Sequence, residues 1–166
     1  MKIDKKSNQG VTLVALTITI ILMIIIASIV IYDGRKTIKE AQLESLKTNM
    51  MLIEAKAREC VEKANFEMGI APDDTKKTTV RKTVYEGAGL VTASNADKEE
   101  LGKNYDDIIY EVTPTTLKNW GLDKIELEDG EKYYIEFYED TAKVEIYNNI
   151  GFDDKYSLTE INAIDE

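Results

Sequence analysis

Val11-Thr-Leu-Val-Ala-Leu-Thr-Ile-Thr-Ile-Ile-Leu-Met-Ile-Ile-Ile-Ala-Ser-Ile-Val-Ile-Tyr32 carries no charge, no proline and no glycine. Eighteen of these 22 residues are hydrophobic. As a helix the stretch spans roughly 33 Å, enough for the hydrocarbon core of a bilayer. The exceptions, Thr12, Thr17, Thr19 and Ser28, can return their hydroxyls to carbonyls of the same helix and so do not oppose insertion. A buried soluble helix is seldom so long or so purely apolar. A secretory signal peptide would have an apolar region of ~7–15 residues and a small-x-small cleavage site. The reading is therefore one transmembrane segment over 11–32.

Outward from this span, charge divides the chain of 166 residues. Residues 1–10 carry Lys2, Lys5 and Lys6 against Asp4. Seven basic and seven acidic side chains balance between Asp33 and Met68, and Gly69 to Glu166 holds 11 basic against 23 acidic residues. The formal total of −10 thus sits in the C-terminal part, which repels phosphate backbones, so no nucleic-acid partner is expected. The chain has no His, which removes His-based acid–base, triad and imidazole–metal chemistry. Cys60 is the single cysteine, so neither an intramolecular disulfide nor a cysteine zinc cluster can form. The charges flanking the span are matched, Lys2, Lys5 and Lys6 before it and Arg35, Lys36 and Lys39 after it, so they do not set its orientation.

After the span, Ile38, Ala41, Leu46, Met50, Ile53, Ala57, Val61, Ala64 and Met68 recur at helical steps. Glu54–Arg58 and Glu59–Lys63 are spaced for ion pairs on the outer face. Asp33-Gly34 alone interrupts the pattern, at a cost of about 1 kcal/mol. One helix from about Val11 to Phe66 is expected. Pro72-Asp73-Asp74-Thr75 then opens a loop. Lys76-Lys77-Thr78-Thr79-Val80-Arg81-Lys82, the only basic cluster of the C-terminal part, reads as a solvated strand or loop, with contact to an anionic polymer as the alternative. Asn95–Leu101 reads as a short capped helix and Ile108–Val112 as a strand. Thr113-Pro114 starts a helical turn through Trp120, stopped at Gly121.

Tyr133–Tyr138 and Ala142–Tyr147 form an antiparallel hairpin joined by Glu139-Asp140-Thr141. Tyr133, Ile135 and Phe137 share one face, which Val144 and Ile146 can oppose, and that face can pack on the long helix. Ser157–Glu160 has capping-box spacing. The fold class is α+β. Asp73-Asp74, Asp106-Asp107 and Asp153-Asp154 are paired acids, but adjacency does not make an acid–base pair without a cleft and a shifted pKa. Asn148, Asn149, Asp153 and Asp154 supply hard oxygen atoms that could hold Ca2+, although their spacing is not that of an EF-hand. No enzymatic activity and no other cofactor are expected.

Lys5-Lys6-Ser7-Asn8-Gln9-Gly10 followed by Val11-Thr12-Leu13-Val14 resembles the leader and cleavage junction of type IV prepilins and type II secretion pseudopilins. The resemblance is confined to about residues 5–32. In that family a basic cytoplasmic leader ends in Gly, and a membrane prepilin peptidase cuts after it and N-methylates the new first residue. The resemblance implies processing between Gly10 and Val11, with Thr12, Leu13, Val14 and Ala15 opening the assembly and membrane helix. It implies a pilin-like organisation: 1–10 a cytoplasmic leader, 11–68 a long N-terminal helix with its transmembrane part at 11–32, and 69–166 an acidic globular head bearing a small antiparallel sheet.

The partners implied are the membrane, the peptidase, other pilin-like subunits in a homo- or hetero-filament, and an assembly platform. The implied location is single-pass in the inner or cytoplasmic membrane before assembly, then the cell surface or an extracellular filament. Some pseudopilins bind calcium in a C-terminal loop, which gives the 148–154 loop a precedent. Val11 stands where Phe is commonest, a tolerated variation, and one departure matters: the fifth mature residue, usually Glu, is Ala15. An unpaired carboxylate in lipid is costly, so its loss removes both that cost and a registration device. In this family such subunits tend to be minor ones at the fibre tip, which leaves three readings: a filament-building subunit, a minor or tip pilin acting as a binding or initiation module, and a plain single-span surface protein.

Overall fold

The computed structural model describes residues 7–69, 74–138 and 143–165, with side chains described for 15–28, 35–69, 79–138 and 143–164. Residues 1–6, Pro72 and Asp73 of the expected loop, and the Glu139–Thr141 connection lie outside the described residues, while Asp74 and Thr75 of that loop are helical. The chain divides into two compact units, Met1–Gln42 and Leu43–Glu166.

The first helix, α1, runs over Ser7–Gly69 without a break at Asp33-Gly34. Burial along it starts at Leu43 and continues through Met50, Ile53, Ala57, Cys60, Val61, Ala64 and Met68, at the three- and four-residue steps of one helix face. Ile38 and Ala41, expected in the same stripe, are exposed because they precede the point where the head's core begins. On the outer face Arg58 donates to Glu54 at 2.6 Å, and Glu59 pairs with Lys56 at 2.8 Å in place of the expected Lys63.

The second helix, α2 (Asp74–Gly87), replaces the strand or loop expected at Lys76–Lys82. The threonines there favour extended backbone, but Val80, Val84, Tyr85 and Ala88 fall at helical spacing and pack into the core. Tertiary burial of that stripe outweighs a weak local preference.

The remaining elements build one five-stranded antiparallel meander in chain order. They are β1 (Val91–Thr92), β2 (Ile109–Val112), β3 (Tyr133–Phe137), β4 (Val144–Phe152) and β5 (Lys155–Ser157). Three short helices intervene: α3 (Asn95–Glu100), α4 (Pro114–Asn119) and α5 (Leu158–Asn162), followed by a 3-10 turn at Ala163–Asp165. Each short helix opens on a reciprocal capping box, from Ser94 to Asp97, Thr113 to Thr116 and Ser157 to Glu160. Gly121, at φ +70°, takes the left-handed conformation that ends α4.

In the expected hairpin Ile135 pairs with Ile146 and Phe137 with Val144. The inner face of β2–β4 (Tyr110, Val112, Tyr133, Ile135, Phe137 and Ile146) forms one core cluster with the α1 stripe. The outer face is also covered: Ile109, Tyr134, Tyr147 and Ala93 make a second, smaller cluster, against which Leu101 packs. All five residues of β3 are therefore buried.

Ile53 is fully buried and Ile38 is 60% exposed, so truncation separates the two halves of the stripe. Ile53→Ala should cost about 2–5 kcal/mol of head stability, and Ile38→Ala under about 0.5 kcal/mol. Denaturant unfolding followed by the near-UV signal of the head's aromatic residues reads both. Equal costs would show that the helix is not anchored to the sheet by this stripe.

Candidate functional site

Two regions bring chemistry-bearing or apolar residues together. The first is the N-terminal part of α1. Gly10, Val11, Thr12, Leu13 and Val14 lie within the helix, and the description of side chains starts at Ala15. From Ala15 to Ser28 every residue is exposed, including Leu16, Ile18 and the run Ile20–Ile26. Thr19 donates to the Ala15 carbonyl at 2.8 Å and Ser28 to the Ile24 carbonyl at 2.7 Å, so these hydroxyls are spent on the helix itself, as expected. What remains is apolar surface on every face of the segment, a surface that water does not favour. Among the described residues no helix is long and apolar enough to cross a membrane. Side chains of the expected span 11–32 are described only for Ala15–Ser28.

The second region is a polar clasp on the outer face of the sheet. Lys132, Tyr134, Glu136 and Tyr138 alternate along and beside β3, opposite the core-facing Tyr133, Ile135 and Phe137. Tyr134 donates its hydroxyl to Asp97 Oδ1 at 2.6 Å, and Lys132 Nζ reaches the same oxygen at 3.1 Å. Glu111 lies 3.6 Å from that ammonium group. Two residues along, Glu136 Oε2 accepts from Tyr138 at 2.7 Å, Tyr147 at 2.8 Å and Lys103 at 2.9 Å. Partial burial works to raise the Asp97 carboxyl, but hydrogen bonds from Ser94, Tyr134 and Lys132 outweigh it and hold the group well below the usual carboxylate range. Glu136 is likewise lowered, with burial opposed by Tyr138, Lys103 and Tyr147. Burial and the Glu136 carboxylate raise the Tyr147 phenol, and burial and the same carboxylate push Tyr138 up to about 12.

These carboxylates are held charged with their lone pairs engaged, which suits a structural clasp. Asp97 lies within α3 and Lys103 in the loop after it, so the two sites fasten that helix and its loop to the sheet. Glu145 does the same for α5, accepting from the Thr159 amide at 2.9 Å and its hydroxyl at 2.7 Å. In the sequence Asp97 stands only as one residue of the Asn95–Leu101 stretch read as a short helix. The alternation of Lys132, Tyr134 and Glu136 was the available sign that the outer face also makes specific contacts.

Two of the residues considered for Ca2+ turn their side-chain oxygens to backbone amides. Asn148 Oδ1 accepts from the amides of Ile150 at 3.0 Å and Gly151 at 2.8 Å. Asn149 Oδ1 accepts from the Lys132 amide at 2.7 Å. Asp153 and Asp154, at φ 45° and 59°, are the two left-handed central residues of the turn joining β4 to β5, a role short polar side chains tolerate. The segment is a bulged hairpin, and its polar groups shape the backbone. Among the described residues no group of three or more His, Cys, Asp or Glu could hold a metal ion. Cys60 is buried, and burial raises its thiol pKa, which fits a packing role.

Comparison of the chain with protein-family models, with curated proteins and with solved structures finds no match.

The two low carboxylates set a pH dependence. A lowered folded pKa contributes stability that is fully present above the unfolded value of about 4 and is lost as pH falls toward the folded value. Asp97→Asn should cost about 1.5–3 kcal/mol near neutrality, as expected for a charge-assisted network. The deficit relative to the parent should shrink below about pH 4. Urea titrations at several pH values measure it, and a deficit independent of pH would rule out the charged clasp.

Proposed function

We propose that this chain is a pilin-like structural subunit of a type IV pilus or a type II secretion-like filament. In this reading prepilin peptidase removes Met1–Gly10, and the N-terminal helix first holds the subunit in the membrane and then packs it among its neighbours. The observation that carries the reading is the Lys5–Val14 junction placed at the very start of the apolar segment. Three features support it. Helix α1 is continuous from before the junction to Gly69. The described part of its apolar segment is exposed on all faces and needs a cover, which lipid or sibling helices supply. The C-terminal half of α1 is the spine of an acidic α+β head with an antiparallel sheet, the architecture expected of such a subunit.

Ala15 favours a second reading, a minor or tip subunit acting in binding or initiation. It offers no carboxylate at the position where a neighbour's terminal amine would pair. Immunogold labelling separates the two: label along the filament assigns a building subunit, and label confined to the end assigns a tip subunit.

Mass spectrometry of the native protein should find a mature N-terminus at Val11 carrying one methyl group. Gly10→Val should leave residues 1–10 attached and keep the subunit in the membrane fraction. A native chain that retains residues 1–10 and makes no filament would instead identify a plain single-span surface protein.

A further inference from the structure

The head carries a half-open cavity of about 300 Å³ that neither the filament reading nor the polar clasp uses. Its floor is aromatic. Tyr85 and Phe137 stack at 4.1 Å with an 11° angle between planes, and Tyr110 stands edge-on to them at 5.5 and 5.8 Å. All three rings are buried and held by α2, β2 and β3, so the cavity is preformed. Its volume is at the lower end for small-molecule sites.

The polar lining has a distinct charge pattern. Arg81 and Lys82 from α2, Lys98 from α3 and Lys143 beside β4 border the cavity, against two acids, Asp106 and Asp107. Lys98 is committed to the fold, its Nζ donating to the carbonyls of Tyr105 at 2.7 Å and Asp107 at 2.6 Å. That fastens the loop carrying the acid pair, and Asp107 Oδ2 is further engaged by the Asn104 amide at 2.8 Å. Lys82 lies 3.7 Å from Glu86, and Lys143 3.7 Å from Glu145, in pairs with exposed ammonium groups. The Lys82–Glu86 pair is exposed on both sides and contributes little, and the Lys143 ammonium group, although its partner Glu145 is buried, is itself exposed, so a ligand anion can share these cations with their carboxylates. In a head that otherwise carries a large excess of acidic residues, three cations from two elements far apart in sequence converge on one aromatic-floored cavity.

We propose that this cavity is a binding site for a small ligand with a flat apolar body and an anionic group, an aromatic phosphate or carboxylate. The body lies over the aromatic floor, and the anion meets Arg81, Lys82 and Lys143 at the rim. The site is independent of whether the chain enters a filament.

Phenyl phosphate is a suitable probe because its charge keeps it out of micelles. Isothermal titration of the full chain in a nonionic detergent, corrected against empty micelles, should show one saturable site per chain. Phenol and inorganic phosphate, each carrying half of the recognition, should bind at least about tenfold more weakly. Lys82→Glu combined with Lys143→Glu, two exposed positions, should weaken phenyl phosphate about tenfold or more while the near-UV spectrum stays unchanged. Asn65→Trp, an exposed α1 position that lines the cavity, should abolish binding by filling it. No saturable binding, equal affinity for phenol, or an unchanged affinity in either variant would overturn the proposal.

Discussion

Everything in the head depends on the contact between one face of α1 and the inner face of the sheet. Met50, Ile53, Ala57 and Ala64 have no exposed surface, nor do Ile135 and Ile146 in the strands of the same cluster. The alanines matter as much as the large residues. With only a methyl group at those turns, the helix axis can approach the strands closely enough to exclude water. Each large apolar side chain taken fully from water contributes about 1.5–3 kcal/mol, so this seam outweighs any single polar contact in the structure. Because α2 and α5 also bring buried residues to this cluster, they are secured by the same contact.

The sheet's outer face solves a different problem. It has too few apolar residues for a second core, with only Ile109, Tyr134, Tyr147 and Ala93 buried there and Leu101 packed beside them. Charged hydrogen bonds complete the cover. A buried carboxylate is costly when unpaired, yet Glu136, only 5% exposed, has three donors and Asp97 has Ser94, Tyr134 and Lys132. Among the described residues no buried side-chain polar atom lacks a partner. Such fully satisfied networks fix one arrangement of α3 against the strands, something greasy contacts alone do less well.

Much of this fold was legible in the residues themselves. The α1 stripe, the β3–β4 hairpin and its facing pairs, and the three capped short helices all follow from periodicity and turn chemistry acting locally. What escaped reading depended on partners distant in sequence. Lys76–Lys82 looked extended because threonine and valine favour strands, and only burial of Val84 and Tyr85 makes it helix. That Asn148 and Asn149 accept from backbone amides and that Asp153-Asp154 makes a turn was not read, because the same oxygens also suit a metal ion. Asp97 and Glu136 are 39 residues apart in the chain and share a clasp only because the meander places α3 over β3 and β4.

The meander's two outermost strands are very short, two residues in β1 and three in β5. Strand addition to a sheet draws its strength from a long row of unpaired backbone donors and acceptors, and neither edge supplies one. Copies of this head are therefore poor templates for edge-to-edge polymerisation into amyloid-like ribbons. Recognition between neighbouring copies then falls mainly to side chains.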